Sequence, residues 1–210
     1  KWMYATVNSF FVGLTSTFIA TSLGTIAALG LSRPHMPYKG LIMSILISPM
    51  IVPLIITAAG MFFFYARFNL VYTFTGIIMA HVALATPFVV ITVTATLVGF
   101  DTNMTKASQS LGAKPIRTFF KVIMPLILPG VISGALFAFI TSFDEVVIVM
   151  FMASLDQLTI PKQMWAGIRQ EISPVILCMA TCLVVLSILL LSTVEILRRR
   201  AERLRGIKAR

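Results

Sequence analysis

Acidic residues are scarce in this chain: its 210 residues include seven Asp and Glu against 17 Lys and Arg. Charged residues of both signs make up only 11%, hydrophobic residues make up 58%, and the mean hydropathy is +0.97. Because a soluble globular domain carries about 25% charged residues, this composition excludes that class and indicates a chain that lies in lipid. The net charge of +10 would suggest nucleic acid only if the basic residues shared a soluble surface. Here they lie between or after apolar runs, so no nucleic-acid partner is expected.

The residue types that carry chemistry are also few. Cys178 and Cys182 lie four residues apart in an apolar run; this is no disulfide framework, so both are predicted to be packing residues. No group of His, Cys or carboxylates has metal-site spacing, and His81 is predicted to be a hydrogen-bonded packing residue. The G-x-x-x-x-G-K-[ST] phosphate loop does not occur in the sequence. ATP hydrolysis is therefore not expected in this chain, and an embedded enzyme would lack its nucleophile, base or metal.

Long apolar runs dominate what is present. A spanning helix needs roughly 20 apolar residues to cross about 30 Å of hydrocarbon, and five runs qualify: residues 7–32, 41–66, 75–98, 122–143 and 172–194. Pro49 and Pro53 predict a kink or break in the second span. Gly130 and Gly134 form a GxxxG pair in the fourth span that permits close helix approach. Residues 146–155 are apolar but too short to cross, which predicts a re-entrant or interfacial segment. The sequence thus predicts an all-α membrane protein.

The basic residues predict the orientation of these spans. Cytoplasmic loops carry an excess of Lys and Arg, and thirteen of the 17 fall on one side if the spans alternate. That side holds Arg33, Lys39, Lys106, Lys114, Arg117, Lys121, Arg198, Arg199, Arg200, Arg203, Arg205, Lys208 and Arg210. The other side holds Lys1, Arg67, Lys162 and Arg169. The loop between the third and fourth spans and the basic tail, residues 198–210, are therefore predicted to be cytoplasmic.

The most polar interruption between spans is residues 106–125, KASQSLGAKPIRTFFKVIMP. Asp101 or Thr102 can cap a first short helix by accepting a backbone N–H bond. Gly112 can end that helix in a left-handed conformation, and Pro115 suits the first turn of a second helix because it has no N–H to satisfy. Residues 101–121 are thus predicted to form two short helices joined at an angle, which we call the elbow.

The elbow resembles the cytoplasmic coupling loop of type I ABC importer permeases. That family has Glu-Ala-Ala, three residues, Gly, nine residues and Ile-x-Leu-Pro, whereas this chain has Lys-Ala-Ser, three residues, Gly, nine residues and Val-Ile-Met-Pro. Lys106 departs from the pattern because a base replaces the acid, which leaves the effect of Lys106 on docking open. Residues 23–28, 48–52, 80–90, 142–147, 158–161 and 172–174 resemble the polyamine (spermidine/putrescine) branch, so the resemblance covers nearly the whole chain.

The resemblance implies a fold, a function and partners. The fold would be a MetI-like helical bundle forming one permease domain over residues 1–210, with a sixth helix upstream of Lys1 in the complete protein. The function would be that of a bacterial inner-membrane subunit forming half of the route for a small cationic solute such as spermidine or putrescine. The implied partners are a second, homologous permease as heterodimer partner, two ABC ATPase subunits that bind ATP and Mg, a periplasmic substrate-binding protein and membrane lipid. No cofactor is implied in this chain. The implied ATPase-coupling residues are Lys106, Ala107, Ser108, Leu111, Gly112, Ala113, Pro115, Phe119 and Pro125.

Asp144 and Glu145 are the most informative charges. Asp144 lies roughly 28 Å along the fourth helix from Pro125, at 1.5 Å per residue, and carboxylates at such depth are usually kept for a pathway or a partner. One or both are predicted to line the translocation route; the alternative is a helix end that emerges into water. If either couples an ion gradient instead, the chain would be a secondary transporter. An opine or amino-acid-like solute is a further alternative within the permease class.

The segment between the fourth and fifth spans is predicted to be a loop outside the membrane. It contains Asp156, Lys162, Trp165, Arg169 and Glu171. One interpretation is a contact surface for a binding protein. The other is a solvated loop in which Trp165 anchors the chain at the membrane boundary, where aromatic residues gather.

Overall fold

The computed structural model describes residues 2–33, 35–170 and 173–204, and within these residues the regular structure is helical. The elements are α1 (Trp2–Leu31), α2 (Lys39–Ile51), α3 (Leu54–Ala66), α4 (Phe74–Val98), α5 (Thr102–Ser110), α6 (Pro115–Thr118), a π-helical turn (Phe119–Ile123), α7 (Met124–Phe143), α8 (Val147–Met152), α9 (Ile160–Gln170) and α10 (Pro174–Leu204). The predicted all-α architecture is confirmed.

Four stretches are long and apolar enough to cross a membrane, among the residues the structure describes. They are Trp2–Leu31, Phe74–Val98, Pro115–Phe143 and Pro174–Thr193. Helices α2 and α3 pass the same test only as a pair; they bend by 105° at the break between them, as a broken span or a re-entrant loop does. Each predicted span therefore corresponds to helix, although the predicted start of the last, Ile172, lies outside the described residues.

The break between α2 and α3 follows from its prolines. Pro49 has no N–H to donate to the Ile45 carbonyl, and the Ser48 hydroxyl donates to that carbonyl instead, at 2.8 Å. Pro53 then adopts φ −53° and ψ 128° and starts α3 in a new direction. The break predicted from Pro49 and Pro53 is confirmed; it falls at the second proline, because the first is bridged by a side-chain hydrogen bond.

Helices α1, α4 and α7 form the centre of the bundle. Small residues allow their backbones to approach. A Cβ added at Gly134 of α7 would lie 3.0 Å from the Cα of Val89 on α4. A Cβ added at Gly130 of α7 would meet the side chain of Thr96, also on α4. The GxxxG pair therefore makes the predicted close approach. Buried alanines from all three helices, Ala20, Ala28, Ala85 and Ala138, complete this part of the core.

The prediction that Cys178 and Cys182 are packing residues is wrong. Both are exposed on α10, because that helix packs against the bundle along a narrow stripe that includes Met179, Leu183, Leu186 and Leu190. An apolar run can cross lipid with most of its faces uncovered by protein, so hydropathy alone could not separate the two environments.

The segment after the fourth span is more ordered than predicted. α8 is the expected short apolar helix, and its Ile148, Val149 and Met152 are fully buried against the core. However, the predicted loop contains an eleven-residue helix, α9, which carries Lys162, Trp165 and Arg169. α9 is amphipathic and not apolar throughout, so it does not stand out from the sequence as an apolar run; its helical periodicity was the signal that could have predicted it. Glu171 lies outside the described residues.

Candidate functional site: the elbow and the α7–α8 carboxylates

The first half of the elbow is closed by the caps that its sequence predicts. The Asp101 carboxylate accepts a hydrogen bond from the Asn103 backbone N–H at 2.9 Å and begins α5. Gly112 ends the helix with φ +80°. The Gly112 N–H donates to the Gln109 carbonyl at 2.9 Å and the Ala113 N–H to the Ser108 carbonyl at 3.1 Å, which is the Schellman pattern. The predicted left-handed glycine is therefore confirmed.

The second half of the elbow leads directly into the fourth span. Pro115 occupies the first turn of α6, as predicted, and α6 continues through the π-helical turn Phe119–Ile123 into α7. Ser108 of α5 and Thr118 of α6 share a hydrogen bond of 3.1 Å between their hydroxyls, and Thr118 is 1% exposed. The role of Thr118 was not predicted from the sequence, because its partner lies ten residues away across the bend.

A groove of about 820 Å³ lies on the inner side of the bend. Five predicted coupling residues line it: Ala107, Ser108, Leu111, Ala113 and Pro125. The remaining lining residues are Met104, Arg117, Lys121, Val122 and Leu126. Lys106, Gly112, Pro115 and Phe119 are not among the residues that line the groove. The fold thus brings part of the predicted set together and leaves the rest on other faces of the elbow.

The elbow presents apolar side chains among basic ones. Leu111 is 89% exposed and Ile116 is 74% exposed, whereas Lys106, Lys114 and Arg117 are also exposed. Both apolar residues lie in the most polar part of the chain. Leu111 is outside the candidate membrane spans, and Ile116 is the second residue of the candidate span Pro115–Phe143. Such a surface is suited to a partner with an apolar groove and an acidic rim.

At the opposite end of α7, the two adjacent carboxylates have different surroundings. Asp144 is exposed and forms the C-cap of α7. Glu145 is 7% exposed, and its carboxylate accepts a hydrogen bond from the Ile148 backbone N–H at 2.9 Å, in the first turn of α8. Of the two carboxylates, Asp144 is the exposed one, at a helix end as the alternative interpretation also expects, whereas Glu145 caps α8.

Lys162 of α9 is close to the other end of α8. Its ammonium donates to the Val149 carbonyl at 3.1 Å and to the Ala153 carbonyl at 2.8 Å. Burial lowers the pKa of Lys162 from its usual value, because desolvation disfavours the charged form. Lys162 is thus part of a helix and is hydrogen-bonded to α8. For this residue, the interpretation of the segment as a solvated loop is wrong. No local pattern in the sequence indicates this contact.

His81 lies in the core between α4 and α7. Its Nδ1 is 2.7 Å from the Ser142 hydroxyl, and the side chain is 1% exposed. This agrees with the predicted hydrogen-bonded packing residue. Within the described part of the chain, no cluster of three or more His, Cys, Asp or Glu residues could hold a metal ion.

A bundle of long apolar helices, with a bent helix pair and a basic elbow at one end, is typical of a multi-pass membrane protein. Residues 20–203 match the family model described as "Binding-protein-dependent transport system inner membrane component", and the chain belongs to this family. It is accordingly a transport component of the inner membrane and associates with other components of an ABC transporter; it is not an enzyme.

Individual relatives agree with the family. The chain is 28% identical to the spermidine/putrescine transport system permease protein PotC of Haemophilus influenzae, over 93% of this chain and 76% of that protein. It is also 28% identical to PotC of Escherichia coli, over 94% of this chain and 75% of that protein. Among solved structures, this chain is similar to a chain of an amino acid ABC transporter, with a TM-score of 0.67 and 17% sequence identity. The match covers 95% of this chain and 93% of that chain. That similarity confirms the fold.

Proposed function

We propose that this chain is the permease subunit of an ATP-driven importer of small polycationic solutes of the spermidine and putrescine type. The elbow would dock into an ATPase subunit, and the observation that carries this proposal is the elbow itself: two short helices fixed at an angle, exposing Leu111 and Ile116 amid basic residues. Closure of the ATPases around ATP and Mg would move the elbow, and α7 would move with it because α6, the π-helical turn and α7 are continuous.

The hydrogen bonds of the elbow support its proposed role as a rigid connection between the ATPase and α7. Its bend is fixed by the Asp101 cap, by the two hydrogen bonds around Gly112 and by the contact between Ser108 and Thr118. A force on α5 is therefore transmitted to α6 instead of being absorbed by the turn. Lys106, at the position where the family carries an acid, gives this surface an additional positive charge, so the docking groove should carry a compensating acid.

The relatives and one carboxylate support the solute class. The similar proteins are named as spermidine/putrescine permeases, and Asp144 is exposed at the end of α7. A carboxylate there would attract an ammonium group as it enters the route between two permease subunits. The assembly we propose contains a homologous second permease, two ATPase subunits and a binding protein, with the elbow and the C-terminal tail in the cytoplasm. Of the tail, residues 205–210 lie outside the described residues.

The test is transport by the reconstituted assembly. The chain would be co-expressed with a candidate second permease and a candidate ATPase subunit, purified, and placed in liposomes with a candidate binding protein; uptake of radiolabelled spermidine would be measured with and without enclosed ATP. We expect co-purification of the ATPase and uptake that requires ATP. Uptake that follows an ion gradient without ATP would favour the secondary-transporter alternative, and uptake of an amino acid instead would change the solute class.

A matched pair of variants tests the elbow within the same assay. Leu111→Glu places a charge on the most exposed apolar residue of the elbow, and we expect it to abolish recovery of the ATPase. Leu155→Glu makes the same change at a residue that is 84% exposed at the opposite end of the bundle, and we expect it to leave ATPase recovery unchanged. Equal recovery with both variants would refute the elbow as the docking site.

A further inference from the structure

The short helix α8 cannot satisfy all of its own backbone groups. A helix leaves four N–H groups at its start and four carbonyls at its end without internal partners, and α8 has only six residues. Because α8 is buried against the core, these groups need protein partners. Other residues of the chain supply two of these partners: the Glu145 carboxylate accepts from the Ile148 N–H at 2.9 Å, and the Tyr72 N–H donates to the Met152 carbonyl at 2.9 Å.

Lys162 completes the far end of α8 from a different helix. Its ammonium bridges the Val149 and Ala153 carbonyls at 3.1 and 2.8 Å, so a positive group lies at the C-terminal end of α8 and a negative group, Glu145, at the N-terminal end. Both signs oppose the helix dipole and are therefore stabilising. Hydrogen bonds that involve charged groups are about twice as strong as neutral ones.

The helix that carries Lys162 is itself fixed to the bundle. Ser9 of α1 accepts a hydrogen bond from the Ile160 N–H at 2.8 Å, at the start of α9. Asn8 of α1 donates to the carbonyls of Asp156 and Leu158 at 2.8 and 3.0 Å. Lys162 therefore links α8 to a helix that is itself held by α1, and α8 is separated from Asp144 by only two residues.

We propose that Lys162 is a positioning residue that ties α9 to α8 and, together with Glu145, holds Asp144 at a fixed place beside the transport route. This inference rests on the proposed function, because it assumes that Asp144 meets the solute. Through this tie, movement of α9 at the surface of the bundle would reach the carboxylate. The structural part of the inference, that Lys162 holds α8, can be measured without transport.

The first measurement follows the opening of α8. Cys178 and Cys182 are exposed and would be replaced by Ser, and Val149→Cys would place a thiol at a residue that is 0% exposed. An impermeant maleimide can label that thiol only when α8 leaves the core. We expect Lys162→Met to raise the labelling rate in the assembled complex by about tenfold, from the loss of charge-assisted hydrogen bonds, and Lys162→Arg to keep it near wild type. Met150→Cys, at a residue that is 41% exposed, checks that reagent reaches α8 in every variant.

The second measurement is spermidine uptake per assembled complex. We expect Lys162→Met to lower it by about tenfold and Lys162→Arg to restore most of it. Arg67→Met is the matched control, because it removes one exposed basic residue at the same end of the bundle, and we expect wild-type uptake. If adding Lys162→Met to Val149→Cys leaves the labelling rate unchanged, Lys162 does not hold α8, and unchanged uptake would remove its positioning role.

Two further outcomes are distinguishable from these. If both Lys162→Met and Lys162→Gln fail to assemble, Lys162 is required for folding and the positioning proposal is wrong. If wild-type complexes take up no spermidine, the proposed function fails, while the labelling of Val149→Cys still decides whether Lys162 ties α9 to α8.

Discussion

At the scale of single residues, Asp144 and Glu145 are neighbours in sequence with different roles in the structure. Glu145 is buried because its carboxylate caps α8 through the Ile148 N–H. Asp144, at the end of α7, is exposed and is free to face a solute. The chain has only seven acidic residues. Of these two adjacent ones, Glu145 caps a helix and Asp144 keeps an exposed carboxylate.

We predict that Asp144→Asn reduces spermidine uptake by up to about fivefold, because an ion pair between an exposed carboxylate and an ammonium group contributes on the order of 0.2–1 kcal/mol. The amount of assembled complex should stay at the wild-type level, since Asp144 caps α7 through its backbone and not through its side chain. Uptake by reconstituted complexes, normalised to the permease present, is the measurement.

Asp156→Asn is the matched control for this substitution. Asp156 is also an exposed acid at the same end of the bundle, and its contact with Asn8 is made by its backbone carbonyl. If both variants lose uptake equally, a general loss of negative charge explains the effect, and Asp144 has no specific place in the route.

At the scale of elements, the contact between α4 and α7 depends on glycine. A Cβ at Gly134 would lie 3.0 Å from the Cα of Val89, and backbone cannot move aside as a flexible side chain can. The two helices are therefore held at a distance that only a residue without a side chain permits. Both helices lead into the elbow, α4 before it and α7 after it, so their packing sets the position of the elbow.

We predict that Gly134→Ala destabilises the complex by about 1–3 kcal/mol through overpacking, measured as a lower midpoint of heat-induced loss of the monodisperse complex in detergent. Gly60→Ala is the matched control: a Cβ at Gly60 of α3 meets nothing within 4 Å. Because alanine favours helix over glycine by about 1 kcal/mol, this variant should be neutral or more stable. A lower midpoint for both would mean that helix contact is not the cause.

The elbow depends on glycine for another reason. Gly112 has φ +80° and open space around its Cα, so Gly112→Ala would be strained by about 1–2 kcal/mol through its backbone alone. We predict that this variant loses ATPase stimulation by the binding protein while its spans stay folded, since the strain is relieved by opening the bend. ATPase activity of the reconstituted complex is the measurement.

Gly99→Ala gives the comparison for the elbow. Gly99 lies just before the elbow with φ −89°, and a Cβ there also meets nothing within 4 Å. We expect wild-type ATPase stimulation from this variant. If Gly112→Ala behaves in the same way as Gly99→Ala, the left-handed turn is dispensable for coupling.

At the scale of the whole molecule, the elbow lies at one end of the bundle, whereas Asp144, α8 and α9 lie at the other. A movement applied at the elbow must pass along α4 and α7 to affect the carboxylate. The two ends also differ in their content of basic residues, and this asymmetry predicts which end faces the cytoplasm.

We predict that a cysteine at Leu155 is labelled by an impermeant maleimide in intact spheroplasts, and that a cysteine at Leu111 is labelled only after the membrane is opened. Both side chains are highly exposed in this chain, 84% and 89%, so in spheroplasts that lack the ATPase a difference in labelling reports the side of the membrane and not burial. The natural Cys178 and Cys182 would be replaced first. Labelling of Leu111→Cys from outside would reverse the orientation and exclude the elbow as an ATPase contact.

Much of this architecture could be predicted from local pattern. Apolar runs indicated the spans, the Pro49 and Pro53 pair indicated the break, and Asp101, Gly112 and Pro115 indicated the elbow, because caps and turns depend on residues within a few positions of one another. Lys162, Thr118 and the exposed Cys178 could not be predicted. Their environments depend on residues from other elements, and no local pattern encodes those contacts.

The sequence by itself determined that this chain is a bundle of membrane helices with a polar elbow, because lipid requires long apolar runs and backbone conformation at Gly and Pro is set locally. Only the tertiary structure decided which of the two adjacent acids is free and that Lys162 holds the end of α8. Those assignments depend on which backbone groups lack partners, and that is fixed only when separate helices are packed together.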